Sequence, residues 1–446
     1  MGEKLYAGAA KREISPSLEL LAAMRDRGDI WAFEGIEEPI FASAIVLSDG
    51  MYDYFAHVNV ELVMPLGNSF CERAAKLLGT DPSHILISCT HNHQAVFFST
   101  EREIEDGRAG ADIPLKDIIL MPEHLAYREY VEDQALKAVQ EAKNRICPAK
   151  IGAGKGSCDV AACRDWPFYE MTMQGGNREG YTDREINVLR IDRNDGHPIA
   201  VLIASNVHSA MLCGYATDRY LGPDFGGSVA REVAAKMDGD CVVIWAIGGA
   251  GNQNAVITGI FEHPDYQEDG TPCIRREELP QQDAKLILRI LASRQADAVM
   301  NIYRDIREFS DSYDIRQKRT EVSVPGRRPF AVISRNPGEH RELVMEPGAD
   351  VVYRFALVMI CGIAFCHSNG EPYSSITRMV KDALPPENVF MFDFLEEHAG
   401  YLPDVLYDHY HGFGELHTMT ASAWDTEKAF YESFRKLYED LEGTIW

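Results

Sequence analysis

Residues 85–93 read Ile-Leu-Ile-Ser-Cys-Thr-His-Asn-His, an apolar run that ends in two histidines separated by one residue. The run Ile85 to Ile87 predicts a buried strand, and the polar residues after it mark the strand's carboxyl end. Open α/β sheets place their ligand-binding crevices at such ends. Residues i and i+2 of an extended chain point to the same side, so His91 and His93 can converge on one point.

This pair suits a metal, or a metal ligand beside an imidazole that transfers protons. The alternative is two surface histidines in a loop. That is the commoner meaning of an isolated His-x-His, because short motifs match easily by accident. The rest of the chain decides between the two interpretations.

The composition is that of a globular protein, with 46% hydrophobic and 25% charged residues. A net charge of −25 argues against a nucleic-acid or anionic-membrane partner, since both require a basic face. We expect no integral membrane segment, because no apolar run approaches the ~20 residues needed. We also expect a cytoplasmic location: no secretion signal is visible, and the ten cysteines contain no Cys-x-x-Cys pair.

The hydrophobic pattern predicts an α/β fold of mixed β-sheets with flanking helices and a metal site at strand carboxyl ends. No Pro/Gly/Ser-rich linker interrupts it, so residues 1–446 are expected to form a single domain. A charged loop over the site is expected from residue 100 to 120. The predicted helices cover 68–78, 127–144, 281–300 and 426–441, and the predicted strands cover 40–46, 52–63, 186–192, 198–204, 241–247, 351–363 and 389–394.

A strand that runs into a polar loop recurs at His208, at Gly248 and at Glu371. If these strand ends are neighbours, the three histidines His91, His93 and His208 meet Glu371 in one crevice. Two or three imidazoles plus a carboxylate, with an open position for water, are how proteins hold a catalytic zinc. Alone, His208 could equally be a core histidine and Glu371 a turn residue, so the prediction rests on their shared context.

The glycine-rich segment 248–251 follows one of these strands. It lacks the Lys-Ser/Thr ending of a phosphate-binding P-loop and the spacing of a dinucleotide-binding turn, which disfavours nucleotide binding. It predicts instead a close turn whose backbone N–H groups face an anionic intermediate.

Taken together, seven segments in order resemble the catalytic domain of the neutral/alkaline, non-lysosomal ceramidase family, as a divergent bacterial-type member. The resemblance implies a zinc-dependent enzyme that cleaves an N-acyl amide bond. It also implies a single ceramidase-like catalytic domain, without the family's C-terminal immunoglobulin-like domain, because the sequence ends at Trp446 soon after the last predicted helix. The matching segments are 7–16, 88–93, 183–192, 206–208, 248–254, 370–372 and 400–403.

Carried over residue by residue, the resemblance implies four metal ligands: His91, His208, Glu371 and Tyr401. It implies that His93 faces the substrate and that Arg164 is a site arginine. Four neighbours compete with Tyr401 for its role: Tyr407, His409, Tyr410 and His411.

One departure concerns the substrate. Asn254 stands where ceramidases carry a serine, and with no secretion signal this predicts a soluble small molecule rather than ceramide. The expected function is therefore a Zn²⁺-dependent hydrolase that cleaves an amide bond with metal-activated water, with Asn254 helping to bind the oxyanion. The alternatives are an ester or glycoside hydrolase or a lyase on the same scaffold, or a non-catalytic binding protein. The sequence sets no oligomeric state.

Overall fold

The computed structural model describes nine stretches of the chain: residues 4–29, 32–97, 121–168, 171–213, 219–237, 239–334, 341–396, 398–404 and 426–443. The helices in these stretches are α1 (Leu18–Asp26), α2 (Asn68–Leu78), α3 (Pro122–Asn144), α4 (Asp224–Ala235), α5 (Gln281–Asp305), α6 (Ser374–Ala383) and α7 (Glu427–Glu442).

The strands are β1 (Tyr6–Glu13), β2 (Gly35–Ile36), β3 (Phe41–Ser48), β4 (Tyr54–Val60), β5 (Ile85–Cys89), β6 (Cys147–Ser157), β7 (Ala161–Phe168), β8 (Met171–Asn177), β9 (Glu185–Arg193), β10 (Pro198–Ser205), β11 (Tyr220–Leu221), β12 (Val242–Ile247), β13 (Gln253–Ala255), β14 (Ile260–Tyr266), β15 (Pro272–Glu278), β16 (Ile315–Ser334), β17 (Arg341–Ile360), β18 (Ile363–Ser368), β19 (Glu371–Pro372), β20 (Val389–Phe392) and β21 (Tyr401–Leu402).

The largest sheet has eight strands in the order β12-β10-β9-β6-β1-β3-β4-β5. It consists of two four-stranded wings, β12-β10-β9-β6 and β1-β3-β4-β5. The wings are joined by a short pairing of β1 with β6, at Tyr6 and Ala7. The outer strands of each wing run parallel, β10 with β12 and β4 with β5, while the other neighbours are antiparallel. Each wing therefore delivers strand carboxyl ends to a polar loop, as the sequence pattern predicted.

A second sheet, β16-β17-β18-β20, packs on one face of the first. Side chains alternate between the two faces of each strand, so three apolar layers form. One lies between the large sheet and helices α1 to α5, one between the two sheets, and one between the small sheet and α6 and α7. On β12, for example, Trp245 faces the helices and Ile244 faces the small sheet. The result is a layered α/β fold with helices on both outer faces.

Most predicted elements are confirmed, with α2 reproduced at both ends and α3 beginning five residues earlier than expected. The strand predicted at 351–363 is confirmed as far as Ile360, where β17 ends; a turn at Cys361 and Gly362 follows, and β18 begins at Ile363. Both turn residues have positive φ, 51° and 81°, which the hairpin turn requires and hydrophobicity alone does not reveal. The expected loop at 100–120 lies outside the described residues. Among the described helices, none is long and apolar enough to cross a membrane.

The glycine-rich segment is a point of close backbone packing between the two sheets. A Cβ on Gly248 would lie 1.9 Å from the carbonyl oxygen of Met391, and one on Gly251 would lie 2.6 Å from that of Glu371. Any side chain here would push the large sheet away from β20 and from β19, which carries Glu371. These glycines therefore set the distance between Glu371 and the loops that follow the strands of the large sheet.

We predict that Gly248→Ala destabilises the protein by about 3 kcal/mol or more, because a backbone carbonyl cannot move aside as a side chain can. Urea unfolding followed by circular dichroism measures the effect. Gly176→Ala on β8 is the control, since its Cβ would meet its nearest neighbour at an ordinary 3.6 Å. Equal stability of the two variants would contradict the packing argument.

Candidate metal centre

The loops after β5 and β10 are joined directly, which brings the predicted histidines together. Asn92 and Ser209 form an isolated parallel bridge, and the His93 amide donates to the Ser209 carbonyl at 2.9 Å. His91, His93 and His208 then offer ring nitrogens that all lie within 4.8 Å of one another. The two wings of the large sheet thus contribute to a single cluster of imidazoles.

The His91 ring is held in one tautomer. Its Nδ1 lies 2.7 Å from the carbonyl oxygen of Val63, which can only accept, so Nδ1 carries the proton and Nε2 presents a lone pair. The residue is 3% exposed, has φ of +51°, and stacks on Phe394 at 4.6 Å. A non-glycine residue with this φ is held by its surroundings, and such strain often marks a functional site.

The His208 ring is fixed in the same way by the glycine-rich turn. Its Nδ1 lies 2.8 Å from the Ala250 carbonyl oxygen and 3.2 Å from that of Gln253. Nδ1 therefore carries the proton, and Nε2 is again a lone pair. That Nε2 is buried and has no hydrogen-bond partner among the described residues.

Glu371 places a carboxylate against both lone pairs. Its Oε2 lies 3.2 Å from Nε2 of His208 and 3.7 Å from Nε2 of His91, and the residue is 2% exposed. Neither nitrogen has a proton to donate, so these contacts are repulsive unless a cation lies between them. Tetrahedral zinc with ligands at 2.0–2.1 Å separates its ligand atoms by roughly 3.3 Å. The donor set fits a metal ion.

Burial lowers the pKa of His91 well below its ordinary value. Burial, followed by the positive charge of Arg164, also lowers the pKa of His208. Both imidazoles are neutral, as metal ligands must be. Burial raises the pKa of Glu371, whereas positive charge beside it, at His91 first, holds that pKa well below its usual range. Because His91 and His208 are neutral, a bound cation would have to supply that charge to keep the carboxyl group ionised.

His93 lies beside the His91 and His208 rings. Its Nε2 is 3.0 Å from Nε2 of His91, and its ring is more exposed than those of His91 and His208. Burial, the largest cause, lowers the pKa of His93 to about 3. This geometry places a neutral, partly accessible imidazole beside the two lone pairs.

Arg164 and Tyr401 border the cluster on the side of Glu371. Parallel pairing of β19 with β21 sets Tyr401 opposite Glu371 in register, and the Arg164 guanidinium lies 5.3 Å from the Tyr401 ring. The Arg164 side chain donates from Nε to the Gly251 carbonyl at 3.1 Å and is 5% exposed. The competing residues at 407–411 lie outside the described residues.

Asn254 is on β13, paired opposite Ala162, and its Oδ1 is buried without a hydrogen-bond partner among the described residues. The expectation that the turn's backbone amides face an anionic intermediate is not met at three of them. The Gly249 amide donates to Asp393, that of Gly251 to the Pro372 carbonyl, and that of Gln253 to the Ala250 carbonyl. Two of these amides therefore bind other segments of the chain, and the third closes the turn itself.

Two residues at the site were not predicted from the sequence. His398 Nε2 lies 2.8 Å from Oε1 of Glu371. Asp393, 1% exposed, accepts the amides of the glycine-rich turn; burial, against the hydrogen bond from Gly249, raises its pKa to about 8. Neither belongs to a recognisable motif. The one feature of the sequence that could have indicated them is their position between the strand at 389–392 and Tyr401.

Fold and cluster together define a layered α/β protein with a candidate metal centre at strand carboxyl ends. The same fold occurs in neutral ceramidase from Pseudomonas aeruginosa, which is 14% identical, with a TM-score of 0.68 over 97% of this chain and 74% of that one. A ceramidase complexed with C2 matches with a TM-score of 0.69, the same identity and the same coverage. The ceramidase-like fold implied by the sequence motifs is therefore confirmed. No family model matches the chain, and no curated protein matches it by sequence.

We predict that the purified protein binds one divalent metal ion per chain and that His208→Ala abolishes this binding, because one of two preformed lone pairs is lost. Elemental analysis of protein purified without chelators, before and after zinc addition, measures the stoichiometry. His197→Ala is the control, since His197 is exposed on the turn between β9 and β10. Metal retained by His208→Ala would remove His208 from the ligand set.

Proposed function

We propose that the protein is a zinc-dependent hydrolase that cleaves an amide (N-acyl) bond in a soluble small molecule. One observation carries the proposal: the buried Glu371 carboxyl group faces two imidazoles whose lone pairs are fixed toward it. The fold shared with two ceramidases supports an amide as the bond cleaved.

In this proposal His91, His208 and Glu371 hold the metal, with Tyr401 as a fourth ligand beside Glu371. Bound zinc would supply a nucleophilic water at neutral pH and polarise the carbonyl of the substrate. The protein fixes the ligands beforehand, since each histidine donates its Nδ1 proton to a backbone carbonyl. Such hydrogen bonds orient the ring and raise the basicity of the ligating nitrogen.

The proposed role of His93 is proton transfer. His93 would hydrogen-bond the developing oxyanion or act as the acid toward the leaving amine. Arg164 would stabilise negative charge that develops on the carbonyl oxygen, since its charge already acts on His93 and His208. The Oδ1 of Asn254, which has no hydrogen-bond partner among the described residues, would be a second polar group for the substrate.

A soluble substrate follows from charge. At −25 the protein is poorly suited to an anionic membrane, from which a long-chain lipid would have to be extracted. Asn254 in place of the family's serine supports the same conclusion. Ester and glycoside hydrolysis, and elimination, would use the same metal, so the substrate tests below include them.

We predict that His93→Ala lowers kcat by about 10²–10⁴-fold, the usual contribution of a general acid or base. Metal content should stay near that of the unmodified protein, because none of the four proposed ligands is changed. Steady-state kinetics together with elemental analysis separates these effects. Loss of the metal in this variant would make His93 a ligand instead.

We predict that the protein hydrolyses short soluble N-acyl amides faster than long-chain ceramide in detergent. Product release measured across N-acyl amides, esters, glycosides and ceramide at equal concentration tests this, with metal-stripped protein as the control for each. Ceramide cleaved with the soluble amides untouched would contradict the soluble substrate. Activity confined to esters or glycosides would contradict the amide bond.

A further inference from the structure

Asp393 is a buried carboxylate that the mechanism above does not use. It follows β20 directly, is 1% exposed, and accepts the Gly249 amide at 2.9 Å through Oδ1 and at 3.0 Å through Oδ2. Oδ2 also lies 3.5 Å from the Ala250 amide. Its own amide donates to the Ile247 carbonyl at 3.2 Å, so the carboxylate is anchored to the end of β12.

These hydrogen bonds determine where the acceptor of His208 lies. The residue whose amide Asp393 approaches, Ala250, is the one whose carbonyl oxygen accepts the Nδ1 proton of His208 at 2.8 Å. Gly249 has φ of +68°, a conformation that leaves two consecutive amides directed at one carboxylate. Asp393 thus connects to His208 through a single backbone unit.

The residues after Asp393 contact His91 and the strand that leads to Glu371. Phe394 stacks on the His91 ring at 4.6 Å, and its φ of +62° turns the chain back toward the cluster. Leu395 donates its amide to Ser368 at 2.7 Å, at the end of the strand that leads to Glu371. Burying a carboxyl group here is costly, because desolvation and then the Glu371 charge raise its pKa.

We propose that Asp393 is a positioning residue for the metal site, acting on His208 through the Gly249–Ala250 backbone. This rests on the proposed metal centre. The carboxylate fixes the turn, the turn fixes the Ala250 carbonyl, and that carbonyl fixes both the tautomer and the direction of the His208 ring. The arrangement is a carboxylate–backbone–histidine chain, in place of the direct carboxylate–histidine pairs common at zinc sites.

Asp393→Asn tests the proposal, because it keeps the shape but turns an amide donor toward the Gly249 N–H. We expect zinc affinity to fall about 10–100-fold, the usual effect of losing an outer-shell partner. The variant is first stripped of metal with a chelator and shown to elute as the unmodified protein does. Its zinc affinity is then measured by competition with a chromophoric chelator. Asp192→Asn is the matched control: Asp192 is equally buried, pairs with Arg190 at 2.7 Å, and should lose stability without losing zinc affinity.

A second measurement uses the unmodified protein, in case Asp393→Asn does not fold. Because binding and positioning are reciprocal, zinc should slow hydrogen exchange at the Gly249 and Ala250 amides. Unchanged exchange there, or unchanged zinc affinity in folded Asp393→Asn, overturns the proposal while leaving the metal centre intact. No zinc binding by the unmodified protein overturns both the metal centre and this proposal.

Discussion

The site depends on one electrostatic constraint, the burial of the Glu371 carboxylate against two imidazole lone pairs. Removing a carboxylate from water costs several kcal/mol unless a positive charge or strong hydrogen bonds offset it. His91 and His208 cannot provide them at Nε2, because their Nδ1 atoms hold the ring protons against backbone carbonyls. A cation between the three groups removes the repulsion and satisfies all of them at once.

The fold is arranged so that this unfavourable cluster forms only when the layers assemble. One wing of the large sheet supplies His91, the other supplies His208, and the segment that follows β18 of the small sheet supplies Glu371. The absence of side chains at Gly248 and Gly251 lets the sheets meet backbone to backbone. Apolar burial on three layers provides the free energy that holds the cluster together.

The sequence predicted the parts of the site that follow from strand periodicity and motif. His91, His93, His208 and Glu371 each follow an apolar run, and the structure brings them together. It could not predict His398 or Asp393, since both act through contacts between segments far apart in the chain. The role of the glycine-rich turn was mistaken for the same reason: its amides are occupied by tertiary partners that no local pattern encodes. The hairpin turn at Cys361 was missed because a non-glycine residue there has positive φ.

The most direct test of the account is the position of the metal. A crystal of the zinc-loaded protein, measured on both sides of the zinc absorption edge, locates the ion by anomalous scattering. The account predicts one strong peak about 2.0–2.2 Å from Nε2 of His91, Nε2 of His208 and Oε2 of Glu371. A peak elsewhere, or none between these three atoms in crystals grown with excess zinc, would contradict it.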